Sequence, residues 1–320
     1  MTNSRIVVEN EHFRLEQLAE GIYAAVNTLE GAAMSNAGII DLGDETLVFD
    51  AFLTRAAAST LRQAAEDLTG RAPRYLIHSH GHGDHIWGGS AFLPEATIIT
   101  SHGAAVMMTA GERSSIEPAE LTEVIEGLKR SITNEADEGA RLNYESNLYP
   151  RQHLLKELPL VLAPPAVVFD GRMDIRGSQR GVQLVVVDRA HTQGDVYLVC
   201  PDDGVVFLGD LSFSKDSPPY IAPEGDIIAW SDLLLDLESL DVEQYVPGHG
   251  DVAGVEVLAA QRRFQEMAVE VAREVSGSGG TLEDVIDRMS KTEYSRWTKV
   301  PLFSASLQSA LDRVSREATP

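Results

Sequence analysis

Apolar residues in the first hundred positions come in short runs broken by turn residues, a rhythm of strands more than of helices. "GIYAAV" (21–26), "NAGIIDL" (36–42) and "ETLVFDA" (45–51) predict three consecutive strands, the last two joined at Gly43-Asp44. The segment "TRAAASTLRQAAEDLTG" (54–70) predicts a helix, rich in alanine and leucine and closed by glycine. "RYLIHSH" (74–80) and "ATIITSH" (96–102) predict two more strands, with a glycine-rich stretch and a short helix between them.

From Gly103 to about Pro159 the pattern changes. Leu121, Val124, Ile125, Leu128 and Ile132 recur at helical spacing, and Glu126 and Arg130 form an i, i+4 pair on the outer face, which predicts a helical insert. Strands return at 166–169, 182–188, 195–200, 204–210 and 244–249. Phe264, Met267, Val271 and Val275 mark a further helix, followed by a flexible stretch at Ser276–Gly280. Another helix starts at Thr281, with Asp284 at the capping-box position. Strands followed by helices, twice over, predict an α/β chain of sheet layers covered by helices. No repeat of 20–50 residues and no low-complexity tract interrupts this order.

Composition narrows the partners. Hydrophobic residues make up 43% of the 320, enough for a sizeable core. A net charge of −23 repels phosphate backbones and anionic membranes, so neither nucleic acid nor a membrane is an expected partner. The single cysteine, Cys200, excludes an intramolecular disulfide and lies in an apolar strand, where it reads as a packed core thiol. No apolar signal core and no run of about 20 apolar residues is present, so the expected address is cytoplasmic.

Against that background "HSHGHGDHIWGGS" (78–90) stands out, with four of the nine histidines in eight positions. Histidine is the commonest protein metal ligand. His80 and His82, two apart at the end of a predicted strand, project to one side and can grip one ion. Asp84 and His85 follow where the chain turns toward a helix and can address a second position, while Gly81 and Gly83 allow the turns and leave room. His78 sits deeper in the strand and reads as core or as support for a ligand. Further ligands are expected at later strand ends, and three candidates lie there: His191 in "DRAHTQGDV", Asp210 in "FLGDLSF" and His249 in "YVPGHGD". A surface cluster of solvated histidines is the alternative to a metal site. Asp195 can either orient a ligand or cap the turn after His191. His102 ends a strand nearby, His12 and His153 read as surface residues, and Trp87 as packing for the following helix.

The motifs H-x-H-x-D-H at 80–85, "HTQGD" at 191–195, "LGDLSF" at 208–213 and "VPGHG" at 246–250, in that order, resemble the metallo-β-lactamase superfamily and particularly its glyoxalase II-like hydrolases. The resemblance covers roughly residues 15–255 without most of the insert. It implies an αββα sandwich over 1–255 with a helical insert at about 103–159, and a C-terminal helical extension, 256–320, packed on the same domain. It also implies that His80, His82 and His191 hold one ion, that Asp84, His85 and His249 hold a second, and that Asp210 bridges them. Two zinc ions are the expected cofactor, with iron or manganese also suited to imidazole and carboxylate donors. Paired ions lower the pKa of water toward about 7; Asp84 is expected to orient the attacking water, and no serine or cysteine nucleophile is required.

Subclasses of the family's lactamases place a cysteine at the second-metal position or lack a bridging carboxylate, whereas this chain offers Asp210. The expected substrate is therefore a small acyl compound: a thioester, lactone or activated ester. Lys291, Arg296 and Lys299 read as solvated charges and not as a glutathione site. The insert is a candidate roof for the active site, with Met107, Met108, Tyr144 and Tyr149 either lining the entrance or packing within the insert. The loop after Asp210, with Tyr220, and the turn at 29–35 are expected to wall the pocket. Alternatives are a mononuclear iron sulfur dioxygenase, a β-lactam hydrolase and a non-catalytic scaffold of the same fold. Apolar faces of the insert and C-terminal helices are candidates for a homodimer contact.

Overall fold

The computed structural model describes residues 5–109, 116–214 and 217–317. Its apolar runs form two sheets. The first holds eight strands in sequence order: β1 (Arg5–Glu9), β2 (Phe13–Ala19), β3 (Ile22–Asn27), β4 (Ala37–Asp41), β5 (Thr46–Phe49), β6 (Tyr75–Ile77), β7 (Thr97–Ser101) and β8 (Val167–Phe169). It is antiparallel from β1 to β5 and parallel from β5 to β8. The second holds β9 (Arg172–Arg176), β10 (Gly181–Arg189), β11 (Gln193–Cys200), β12 (Val205–Phe213) and β13 (Gln244–His249), antiparallel except for the β12–β13 pair.

Period-two alternation decides what each face meets. In β4 and β5, Ile40, Leu47 and Phe49 join Leu184, Leu198, Cys200 and Phe207 of the second sheet in the central core. Their neighbours Ile39 and Val48 point the other way, onto Ala57, Ala58 and Leu61 of helix α1 (Arg55–Thr69). In β12, Val205 and Phe207 face the central core while Val206 and Leu208 face an outer layer of helices. The sheets approach closely: a Cβ on Gly38 of β4 would lie 2.5 Å from the Phe207 ring. Helices on both outer faces complete a four-layer αββα sandwich, as expected. Helix α1 begins and ends where the sequence marks it, with the Thr54 hydroxyl accepting from the Ala57 amide and Gly70 left-handed.

The remaining helices are α2 (Gly83–Ile86), α3 (His102–Thr109), α4 (Pro118–Asn134), α5 (Glu138–Leu154), α6 (Ile227–Glu238), α7 (Glu256–Gly277), α8 (Leu282–Met289) and α9 (Pro301–Glu317). The insert is thus helical, and α4 and α5 pack Leu121, Ile125, Leu148 and Leu154 onto Leu53, with Trp87 against the cluster. Helices α6, α7 and α9 cover the second sheet through Trp230, Leu234, Phe264, Phe303 and Leu307. Thr281 and Asp284 form the expected capping box.

Some expectations need correction. β1, β2, β9 and α6 are elements that the sequence pattern does not mark. Glu126 pairs with Lys129 at 2.8 Å and not with Arg130. His102 opens α3 instead of ending a strand, and is exposed. His12 is buried, 6% exposed, under the edge of its neighbour His153. β6 stops at Ile77, so His80 and His82 lie in a loop beyond it and not on an extended strand.

Candidate metal centre

The chain turns sharply where β5, β6 and β13 run out, and these turns carry the polar residues buried at one end of the sandwich. Asp50 and Phe52, just past β5, are both left-handed, with φ of 64° and 61°. That kink lets the Ala51 amide donate to the His85 carbonyl at 2.9 Å and the Phe52 carbonyl accept from the Gly88 amide at 3.1 Å, clasping α2. His82 precedes α2 as its N-cap, and Asp84 and His85 ride on it. His191 sits in the turn between β10 and β11, Asp210 lies within β12, and His249 ends β13. The Asn36 side-chain amide donates to the carbonyls of Pro247 and Gly250 at 2.9 and 2.7 Å, pinning the His249 turn to the first sheet.

All seven residues singled out in the sequence come together, in two groups: His80, His82, His191 and Asp210, and Asp84, His85 and His249. Within each group the candidate donor atoms lie within 4.8 Å of one another. His82 Nδ1 is 2.9 Å from both His80 Nε2 and His191 Nε2. Asp210 stands between the groups. Its Oδ2 is 3.4 Å from His191 Nε2 and 3.8 Å from His80 Nε2, and its Oδ1 is 3.1 Å from His85 Nε2 and 3.3 Å from His249 Nε2. Asp84 Oδ2 faces His249 Nε2 at 3.3 Å and His85 Nε2 at 3.7 Å.

The outer nitrogens explain which way the lone pairs point. His85 Nδ1–H donates to Asp50 Oδ2 at 2.7 Å, His191 Nδ1–H to the Tyr220 carbonyl at 2.9 Å, and His249 Nδ1–H to the Met34 carbonyl at 3.1 Å. The Ser79 hydroxyl donates its only proton to Asp50 Oδ2 at 2.8 Å, so it accepts from His80 Nδ1 at 2.9 Å. These acceptors assign Nδ1 tautomers to four imidazoles and leave each Nε2 lone pair aimed inward. His82 is reversed, with Nδ1 inward and Nε2 3.7 Å from Glu224. Asp50, Ser79 and Glu224 were missed in the sequence, where an aspartate just past a strand end was the one available signal. Of the expected pocket walls Met34 and Tyr220, Met34 lines the cavity beside Asp84 and Tyr220 does not, and each contributes a carbonyl to a histidine.

Electrostatics divide the cluster. Burial pushes His80 well below the ordinary imidazole range and His191 down to about 3, against the pull of Asp210. At His85 and His249 burial acts in the same direction but is outweighed by carboxylates, Asp210 foremost, so His85 is raised well above its ordinary value and His249 to about 10. Asp84 and Asp210 are held low despite burial, by those same two histidines. The buried carboxylates thus favour positive charge at the side of the cluster formed by His85 and His249.

A metal fits this donor set. His85 Nε2 and Asp210 Oδ1 are buried and find no hydrogen-bond partner among the described residues, although they are 3.1 Å apart. His82 Nδ1 lies 2.9 Å from two imidazole nitrogens whose rings carry their protons on the outer side, and a proton on it can serve only one of them; an ion bound at about 2.0–2.1 Å from each would satisfy all three.

Other expected participants lie elsewhere. Asp195 accepts from the Thr192 amide and hydroxyl, capping the turn, and burial raises it to about 6. Cys200 is buried in the central core, its thiol pushed up by burial. Lys291 pairs with Asp287, and Lys299 with Glu135. Met108 is buried, and the cavity beside Asp84 is lined by Met34, Trp87, Leu121 and Arg151 but not by Met107, Tyr144 or Tyr149.

The chain matches the family model described as the metallo-beta-lactamase superfamily over residues 31–249. No curated protein matches it by sequence. Among solved structures it is similar to the inverting sec-alkylsulfatase Pisa1 from Pseudomonas sp., at a TM-score of 0.68 and 16% identity, over 93% of this chain and 50% of that one. It thus spans about half the length of that protein. It is also similar to a metallo-beta-lactamase from Erythrobacter litoralis, at a TM-score of 0.56 and 16% identity, over 82% of this chain and 99% of the other. The metallo-beta-lactamase FIM-1 from Pseudomonas aeruginosa, in its mono-zinc form, gives a TM-score of 0.54 at 16% identity, over 80% and 96%. At such identities the likeness speaks for the fold.

Proposed function

Because the chain belongs to the metallo-beta-lactamase superfamily, we propose that it is a hydrolase of ester-type bonds that works with two divalent cations, zinc by preference. His80, His82 and His191 would hold the first, Asp84, His85 and His249 the second, and Asp210 would serve both. The observation that carries this reading is the placement of Asp210, with one carboxylate oxygen turned to each group of imidazoles. Cations bound there supply Lewis acidity and bring the pKa of water toward about 7.

The chain's own residues do the rest. Asp84 lines the cavity beside the cluster, whereas Asp210 is 5% exposed and points inward. That difference supports the reading of Asp84 as the carboxylate that accepts a hydrogen bond from the attacking water and orients it. Asp50, the Ser79 hydroxyl and the carbonyls of Tyr220 and Met34 keep four imidazoles in the tautomer that offers Nε2 to a cation. Among the described residues, no helix is long and apolar enough to cross a membrane.

Elemental analysis of the purified protein should find two equivalents of metal per chain. A panel of thioesters, lactones, β-lactams and alkyl sulfates should identify the bond that is cut. Sulfate esters belong in it because the likeness to the alkylsulfatase extends over 93% of this chain, including more of it than the lactamases reach. Asp210→Ala should lose the paired site and turnover together. One iron per chain with oxygen uptake, or full metal content and rate in Asp210→Ala, would overturn the proposal.

A further inference from the structure

A cavity of about 250 Å³ lies between Asp84 and the insert. Leu53, Trp87, Leu121 and Val124 give it apolar walls, and Asp84 and Arg151 are its charged members. Its volume equals that of roughly eight water molecules, room for a small head group and a short chain.

Arg151 is out of keeping with such walls. It rises from α5, is partly buried, and its Nη1 donates to the carbonyl and the side-chain oxygen of Asn147, both at 2.9 Å. Nη1 also lies 3.6 Å from the Met34 sulfur. These contacts all fall on one nitrogen. Nε and Nη2 carry three further N–H donors, and among the described residues no carboxylate comes within ion-pair distance of them. Asp84 acts on Arg151 only through its field. Taking a guanidinium out of water without a counter-charge is costly, and the planar fork of an arginine is matched by a carboxylate or sulfate. In a chain of net charge −23, a half-buried cation left without an acidic partner is the exception.

We propose that Arg151 anchors the substrate: an amphiphile whose anionic oxygen head sits against the guanidinium beside the metal cluster and whose short apolar chain runs over Leu53, Trp87 and Leu121. This deepens the hydrolase reading and rests on it for the chemistry, though not for binding. The head is either a carboxylate neighbouring the scissile bond or a sulfate ester that is itself cleaved.

Calorimetric titration of the metal-loaded protein with hexanoate, hexyl sulfate and neutral hexanol tests it. Either anion, or both, should bind the wild type more tightly than hexanol does, and the tighter of the two names the head group. Arg151→Gln should weaken anion binding by roughly 10- to 100-fold and leave hexanol unchanged, while Arg151→Lys should recover part of the loss. Both variants retain the metal cluster, so any direct anion–metal contact cancels in the comparison. Val124→Trp, at a position 42% exposed where bulk is tolerated by the fold, should weaken hexyl sulfate more than methyl sulfate. Equal anion affinity in wild type and Arg151→Gln overturns the proposal, as does equal weakening of both chain lengths by Val124→Trp. Arg151-dependent binding without turnover of any ester in the panel would sink the hydrolase reading and leave this one standing.

Discussion

Asp50 has no place among the groups that face a cation, yet its replacement by asparagine should disturb both halves of the cluster. Asp50 is 1% exposed and accepts three hydrogen bonds: the Ser79 amide on Oδ1 at 2.7 Å, and the Ser79 hydroxyl and His85 Nδ1 on Oδ2 at 2.8 and 2.7 Å. An asparagine that keeps its oxygen toward the Ser79 amide must put NH2 where Oδ2 was. That NH2 donates to His85 Nδ1, which can accept only if its proton moves to Nε2, the atom that faces Asp210. It donates equally to the Ser79 hydroxyl, which then turns its own proton onto His80 Nδ1 and drives the His80 proton to Nε2. One substitution thus protonates two inward nitrogens, one in each group.

Losing such an outer partner costs 10- to 100-fold in metal affinity, or about 1.4–2.8 kcal/mol per site. The flipped amide avoids this but sets NH2 against the Ser79 amide, a buried donor left unpaired at a cost of about 1–3 kcal/mol in stability. Asp50→Asn therefore loses affinity or stability, by similar amounts either way. Zinc titration of the stripped protein against a chromophoric chelator reads the first, and denaturant unfolding the second. Ser79→Ala separates the halves, since it should weaken only the group containing His80. Two equivalents bound with wild-type affinity by an Asp50→Asn protein of wild-type stability would refute the tautomer argument.

Two further outcomes are expected. A Cβ on Gly248 would stand 2.0 Å from Asp210 Oδ1, so Gly248→Ala should displace that carboxylate and lower metal content and turnover at least tenfold; Gly277→Ala, with nothing within 4 Å, is the control that should do neither, and metal analysis of both checks it. Burial opposes the Asp226 carboxylate but is outweighed by its hydrogen bond from Arg313 at 2.8 Å, so its pKa lies below the ordinary value. A depressed carboxylate contributes stability above its unfolded pKa of about 3.9 that fades as pH falls through the folded value. Arg313→Gln should hence cost roughly 0.5–1 kcal/mol near pH 7 and little below the ordinary carboxylate range, and a refolding series in urea at both pH values shows whether the difference closes.

How much of this could be read in the sequence follows from what each element buries. The strands of the sandwich interior carry one or both faces in apolar cores and announce themselves as runs such as "LVF" and "VVFL". β1 and β9 are edge strands, "RIVVE" and "RMDIR", with mostly exposed or half-exposed side chains, and their polarity hid them. Helix α6, "IIAWSDLLLDLE", is apolar on too many sides to show a clean stripe. The seven clustered residues were legible because glycines and turn residues flank them and a known family shares their motifs. The route to His80 and His82 was wrong in detail: they converge from a loop and a helix N-cap, with one ring reversed, and not from one side of a strand. Asp50 and Arg151 act across 35 and 117 residues of chain, on His85 and toward Met34. Nothing local in a sequence encodes such a pairing.

Backbone strain, inward-facing lone pairs and buried carboxylate charge coincide at the end of the sandwich. Met34, Asp50 and Phe52 are the only non-glycine residues with positive φ among those described, and all three lie where the chain wraps the cluster. Such conformations cost about 1–3 kcal/mol each and persist where the surroundings impose them. Here they place the Met34 carbonyl on His249 and the Asp50 carboxylate on His85. The rings so oriented then face one another with lone pairs inward and leave His85 Nε2 and Asp210 Oδ1 unpaired. The inward lone pairs of His80 and His191 are a separate matter from the carboxylate charge that raises His249 to about 10. A pair of cations would meet the inward lone pairs and the carboxylate charge together, whereas protons on His85 and His249 would answer the charge and leave the nitrogens of His80, His82 and His191 facing one another.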